Sequence, residues 1–221
     1  MNKPIVIFGA GDIAEVAHYY FKNDSGREVV AFTVDQEFLD KKKLSGLPVV
    51  PFEKILDTYP PADFDVFIAI SYTKLNAVRM EKFNTVKKLG YETASYISSA
   101  ATILNNDQIG ENCFILEDNT IQPFSRIGNN VTLWSGNHIG HHATIHDHTF
   151  VSSHVVISGG VTVGQQCFLG VNCTVRDHVN VGDRSILGAG SLLLSDAEPD
   201  GVYMLKETER SRVPSTRLRK I

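Results

Sequence analysis

Ile139-Gly140-His141-His142-Ala143-Thr144-Ile145-His146-Asp147-His148-Thr149-Phe150-Val151 is two hexapeptides laid end to end, each opened by an aliphatic residue, with a third aliphatic opening the next. Counting outward in sixes returns Ile97, Ile103, Ile109, Ile115, Ile121, Ile127 and Leu133 on one side, and Ile157, Val163, Leu169, Val175, Val181, Leu187 and Leu193 on the other. If roughly a quarter of positions held Ile, Leu or Val, so long an unbroken run would arise by chance on the order of once in ten billion trials. One inward aliphatic per six residues describes a triangular coil of three short strands, each coil stacking on the one before. Glycine often follows the aliphatic, as at Gly110, Gly128, Gly140, Gly164, Gly170, Gly182 and Gly188, where tight corners favour backbone that a Cβ obstructs. Cys113, Cys167 and Cys173 share one phase of the repeat and read as small wall residues, with neither disulfide nor zinc-ribbon spacing.

Residues 1–93 keep a different rhythm. The apolar run Ile5-Val6-Ile7-Phe8 meets Gly9-Ala10-Gly11-Asp12-Ile13-Ala14 and a helical pattern through Val16, Tyr19 and Phe21. A second strand, Val29 to Val34, ends on Asp35; a short helix near 52–59, a strand at 65–70, a helix at about 74–89 and a strand leading to Ile97 follow. Strands alternating with helices predict a small parallel sheet of the Rossmann kind. Gly9, Gly11 and Ala14 fit the turn whose glycines admit a phosphate to a helix N-terminus, and Asp35 sits where an acid can bind a ribose or base. About four strands fit the space, too few for a complete dinucleotide fold. A mononucleotide site on Gly9, Gly11, Asp12 and Asp35 is the preferred reading, with a purely structural turn and an NAD site as alternatives.

Seven of the eight histidines lie between 138 and 178, inside the repeat. Most, including His146, His148 and His154, read as surface residues. His141 and His142 differ because one coil later the chain has Gly159 and Gly160, and one coil earlier Pro123 and Phe124. Neighbouring strands lie ~4.8 Å apart, so the register puts two missing side chains beside two imidazoles. Asp177 and His178 continue the column. A notch beside a histidine suits thioester aminolysis: the ring removes a proton from the attacking nitrogen or oxygen, and the N–H near Gly159 is placed to stabilise the tetrahedral oxyanion. His141 is the candidate general base, His142 the second catalytic candidate, and Gly159 with Gly160 the acyl-CoA contact.

Taken together, Ile139-Gly140-His141, Ser158-Gly159-Gly160-Val161, Leu187-Gly188-Ala189-Gly190 and Asp35 resemble the two-domain bacterial sugar acyltransferases that include the bacillosamine and perosamine N-acetyltransferases and the sialic acid O-acetyltransferase group. The resemblance spans nearly the whole chain. It implies a nucleotide-sugar-binding domain over 1–93, a left-handed β-helix over 94–195, a C-terminal tail over 196–221, a homotrimer, and acetyl-CoA lying between subunits against Gly159, Gly160 and Ala189. It also implies a role in surface-glycan biosynthesis such as that of lipopolysaccharide O-antigen. Three features depart from the family. His142 stands where the family commonly has Asp or Glu after the catalytic histidine, Trp134 where it has Asn, and Gly201-Val202-Tyr203-Met204 where it has a Gly-x-Pro-Ala segment. N-acetylation of an amino sugar and O-acetylation of a hydroxyl both fit.

The balance of the chain narrows the alternatives. A formal charge of -4 offers no basic footprint for nucleic acid or an anionic membrane surface. No apolar run has the length of a membrane span, and the N-terminal one is too short for a signal peptide, so a cytoplasmic protein is expected. His141 and His146 have the spacing of a zinc pair in the γ-class carbonic anhydrases, but the third ligand position falls on Asn105, so no metal is expected. A non-catalytic NAD-binding scaffold is the remaining alternative. Trp134, Phe150 and Phe168 on flat helix faces are expected to pack against further copies.

Overall fold

The computed structural model describes residues 3–104, 108–210 and 212–217. The chain opens with β1 (Ile5–Phe8), α1 (Asp12–Tyr20), β2 (Val29–Val34), β3 (Lys43–Leu44), β4 (Leu47–Pro51), α2 (Ile55–Thr58), β5 (Asp65–Ile68) and α3 (Ala77–Lys88). The sheet order is β3-β4-β2-β1-β5, parallel except for β3. Strands β1 and β5 are buried at every residue, which is why Ile5–Phe8 and the last three residues of β5 read as apolar runs; the buried Asp65 that opens β5 is paired with Arg27 at 2.6 Å. The β3–β4 hairpin was not anticipated. Its two-residue loop, Ser45 and Gly46, has φ of 48° and 85°, the doubly positive pair that matches strand twist.

From Tyr96–Ile97 to Val202–Tyr203 the chain winds as two-residue strands. Among the described residues they form parallel sheets of seven, six and four strands, the three faces of a prism. Partners are eighteen residues apart: Leu133 faces Val151, and Ile139 faces Ile157. The second residue of each pair points inward, and these aliphatics form one core with Cys113, Cys167 and Cys173. Burial pushes the three thiols up, to about 11, 11 and 12, so they are inert wall groups. Ala197 bridges to Val181 and Val202–Tyr203 pairs with Ile186–Leu187, so winding continues past residue 195.

The glycines after the inward aliphatics serve a different purpose from the one expected. Their backbone is not left-handed. A Cβ on Gly140 would lie 2.6 Å from the nitrogen of Gly159, so what excludes a side chain is the next coil's backbone. The left-handed corners fall two residues later, at Asn112, Phe124, Asn130, His142, His148, His178 and their equivalents.

The seven-stranded face is covered by the N-terminal domain of the same chain. Tyr96, Phe114, Leu116 and Trp134 share a core with β1, β2 and α1. Tyr72 lays its ring 5.0 Å from Phe150 and 4.9 Å from Phe168. Phe150 is only 4% exposed, so this aromatic stripe is an internal seam, contrary to the expectation that it meets other copies. Polar bonds pin the seam: the Ile68 N–H donates to Asn112 Oδ1 (2.8 Å), Asn76 donates to the Cys167 carbonyl (3.1 Å), and Gln166 donates to the Leu75 carbonyl (2.9 Å). Arg79 on α3, 3% exposed, donates to the Asn112 carbonyl and to Thr132 Oγ1; burial lowers its pKa to about 10.

Candidate active site

His141 and His142 stand at the corner between the six-stranded and four-stranded faces, following the strand His138–Ile139 and preceding Thr144–Ile145. Gln122 Oε1 accepts the His141 N–H at 2.8 Å, and the His141 carbonyl accepts the Gly160 N–H at 2.9 Å, which ties this corner to the coils on either side. The His141 ring lies against Gly159: a Cβ there would sit 2.7 Å from Cε1 and 2.8 Å from Nε2. The missing side chain at Gly159 is what makes room for the Cε1–Nε2 edge of the exposed His141 ring. His141 Nδ1 is 3.1 Å from His142 Nδ1.

Three expectations about this corner change. The Gly159 N–H donates to Asp177 Oδ1 at 3.0 Å, so it is not a free oxyanion donor. His142 does not face Gly160. It leans back on Phe124, ring centroids 4.8 Å apart, because a left-handed corner directs its side chain over the preceding coil. The same rule brings His178 over Gly160, where a Cβ would strike its ring. The notch is therefore narrower than two absent side chains imply, and is edged by Cε1 and Nε2 of His141.

Ala189 belongs to the other corner of the six-stranded face. Its nitrogen lies 2.6 Å from where Gly170 would carry a Cβ. His141, Gly159 and Gly160 edge this face on one side and Ala189 on the other, with Val156 and Leu192 (61% exposed) on the open surface between. His148, expected at the surface, is 9% exposed, bonded to Asn130 at 3.0 Å and packed on Phe83.

In the N-terminal domain, Gly9 has φ 127° and approaches β5 so closely that a Cβ would lie 2.7 Å from the Ala69 carbonyl oxygen. Gly9 is thus a packing glycine. Gly11, the N-cap of α1, has nothing within 4 Å of a Cβ and is open to a ligand, with exposed Asp12 beside it. Asp35 ends β2 and accepts from Lys82 on α3 at 2.9 Å. Lys41 caps the Ala10 carbonyl at 2.9 Å. Sequence reading missed both lysines; Lys41 reaches the glycine turn and Lys82 reaches Asp35 only through tertiary packing, across 31 and 47 residues of chain. Beside the turn a cleft of about 330 Å3 opens between Ile13, Tyr72, Trp134, Ser152 and Ser153, against the corner opposite His141 on the six-stranded face. Within one chain this cleft and His141 are separated by the width of that face. Asn105, on which the zinc alternative turned, lies outside the described residues.

Residues 124–159 match the family described as bacterial transferase hexapeptide (six repeats), and residues 160–195 the hexapeptide repeat of succinyl-transferase. Residues 124–195 thus carry hexapeptide repeats of the kind those two family models describe. The chain is similar in fold to a mutant perosamine N-acetyltransferase from Caulobacter crescentus solved with CoA and GDP-perosamine (22% identity, TM-score 0.81, covering 91% of this chain and 93% of that one). It is likewise similar to the acetyltransferase domain of PglB from Neisseria gonorrhoeae (22%, TM-score 0.77, 90% and 95%) and to WeeI from Acinetobacter baumannii (18%, TM-score 0.77, 91% and 96%). No curated protein matched. The fold is accordingly a Rossmann-like α/β domain joined to a left-handed parallel β-helix, the reverse of the usual right-handed crossover. Among the described residues no helix is long and apolar enough to cross a membrane.

Proposed function

We propose that this protein is an acyl-CoA-dependent acetyltransferase acting on the amino group of a nucleotide-linked sugar, with His141 as general base. The observation that carries the proposal is the exposed His141 imidazole at a helix corner, with its Cε1–Nε2 edge in the space left by the missing side chain of Gly159. The attacking nitrogen gives its proton to Nε2 as it adds to the thioester carbon; the C–S bond then breaks and the sulfur leaves with that proton. Acetyl-CoA lies along the six-stranded face, between the Gly159–Gly160 corner and Ala189. The nucleotide sits at the open glycine turn beside Gly11, Asp12 and Asp35, where Lys82 holds the Asp35 carboxylate and Lys41 and Lys82 offset phosphate charge.

Because the cleft and His141 occupy different corners, the acceptor reaches the base of a neighbouring copy, which supports a homotrimer with sites between subunits. The fold likeness to proteins solved with CoA and GDP-perosamine supports the same substrate classes. The test is thiol release from acetyl-CoA with UDP-, TDP- and GDP-linked 4-amino sugars. His141→Asn is expected to lower kcat by about 10²- to 10⁴-fold with little change in the dissociation constants. A loss below about threefold would remove His141 as the base. Mixed trimers of His141→Asn and Asp35→Ala chains should regain activity that neither has alone, and a monomer by light scattering would end the shared-site reading.

A further inference from the structure

The 3.1 Å approach of Nδ1 of His141 to Nδ1 of His142 constrains where protons can be. Two lone pairs would repel at that distance, and so would two N–H groups. One nitrogen must donate and the other accept. If His142 donates, His141 carries its own proton on Nε2 and cannot take another there. If His141 donates, its Nε2 holds the lone pair and faces the side-chain-free space over Gly159.

We propose that His142 is a positioning residue: its Nδ1 accepts from Nδ1–H of His141 and so keeps the lone pair of His141 on Nε2, where the substrate proton is received. This rests on the reading of His141 as the base. Two features hold His142 ready. Its backbone is left-handed at φ 58°, which turns the ring back along the prism, and the ring leans on Phe124 with centroids 4.8 Å apart. The two imidazoles meet edge to face, at 85°, so the Nδ1 atoms approach without the rings overlapping. The proton on Nδ1 of His141 stays in place throughout the transfer; only the one on Nε2 moves from amine to sulfur.

The arrangement differs chemically from a carboxylate in the same place. A carboxylate only accepts, so it permits one tautomer of the base. An imidazole permits both, and a single added proton disables the pair wherever it settles. On His141 it occupies the base; on His142 it turns the acceptor into a donor and drives the His141 proton onto Nε2. The titratable groups around the pair are Asp177, bonded to the Gly159 N–H, and His178, lying on Gly160; Gln122 and Phe124 of the preceding coil are neutral.

The test combines tautomer and rate. In two-bond proton–nitrogen spectra of ¹⁵N-histidine-labelled protein at pH 8, His141 should be the Nδ1–H tautomer. His142→Phe keeps a ring on Phe124 but removes the acceptor, and should return His141 to the Nε2–H form that free imidazole favours. His142→Glu should keep Nδ1–H. In thiol-release assays His142→Phe should lower kcat about tenfold with the KM for acetyl-CoA little changed. His142→Glu should recover most of the rate and move the acid limb of kcat/KM upward by about one pH unit, since a nearby negative charge favours the imidazolium. An Nε2–H His141 in the unsubstituted protein, or a His142→Phe variant with unchanged tautomer and rate, overturns the proposal. The expected tautomers in a protein that transfers no acetyl group would sink the assigned reaction while supporting the hydrogen bond, so the two failures are distinguishable.

Discussion

Two columns of the β-helix occupy the same phase of the repeat and the same left-handed backbone, yet do opposite things. Asn112, Asn130, His148 and Gln166 have φ between 51° and 63°; Phe124, His142, Gly160 and His178 have φ between 58° and 66°. The first column lies under the N-terminal domain and forms a polar ladder: the Asn112 amide donates to Asn130 Oδ1 at 2.7 Å, and Asn130 meets His148 at 3.0 Å. The second faces outward and carries the candidate chemistry. The histidines at 142 and 148 are one hexapeptide apart. One pairs with the proposed base in water; the other is sealed against Phe83, where burial and the Arg79 charge lower its pKa. The repeat decides the backbone, and what covers each corner decides what its side chain can do.

The contrast can be broken most strongly at Asn112. Asn112→Ala would leave the buried Ile68 N–H without its acceptor, strip Asn130 of a partner and put alanine in a left-handed corner. A loss of about 3 kcal/mol is expected in urea unfolding. A loss under about 1 kcal/mol would mean that the ladder does not hold the domains together.

A smaller effect is expected in the exposed column. Gly159→Ala puts a Cβ 2.7 Å from Cε1 of His141 and must turn the imidazole. Backbone conformation is not the obstacle there, so the fold should persist while kcat falls about tenfold, equivalent to ~1.4 kcal/mol in the barrier. Full activity would show that the ring need not keep that place.

The smallest effect sharpens the comparison through pH. His148 has a pKa below the ordinary 6.5, from burial first, with Asp147 opposing and a smaller lowering from Arg79. The folded protein thus binds fewer protons at this site than the unfolded chain does. The contribution is fully present above about pH 6.5 and is lost as pH falls from there toward the lower folded value. His148→Gln should flatten the dependence of the urea midpoint between pH 7.5 and 5.5 without changing its slope. His18 is also lowered, by burial first, so only the difference between variant and parent isolates His148. An identical pH dependence in both proteins would show that His148 is not the linked group.

The N-terminal domain shows where reading by pattern ends. Ile5–Phe8, Val29–Val34 and the strand from Asp65 were legible because continuous apolar runs have one explanation in a covered parallel sheet. The Lys43–Pro51 hairpin was not, since its strands are short and its turn signal is a lone Ser-Gly pair. Gly9 and Gly11 matched one motif but divide in role, one packed on Ala69 and the other open.

The amino-acid order by itself determined the prism, because every sixth residue must be apolar for stacked coils to share one core, and no other fold imposes that period. It also determined the eighteen-residue register that sets His141 against Gly159. Only the tertiary structure decided which face the N-terminal domain covers, that Lys41 reaches the glycine turn and Lys82 the Asp35 carboxylate, that Asp177 takes the Gly159 N–H, and that His142 turns to Phe124 and His141. The physical reason is that periodicity encodes which side of the backbone is apolar, whereas a polar side chain's partner is chosen by whatever packing brings within about 3 Å, from any distance along the chain.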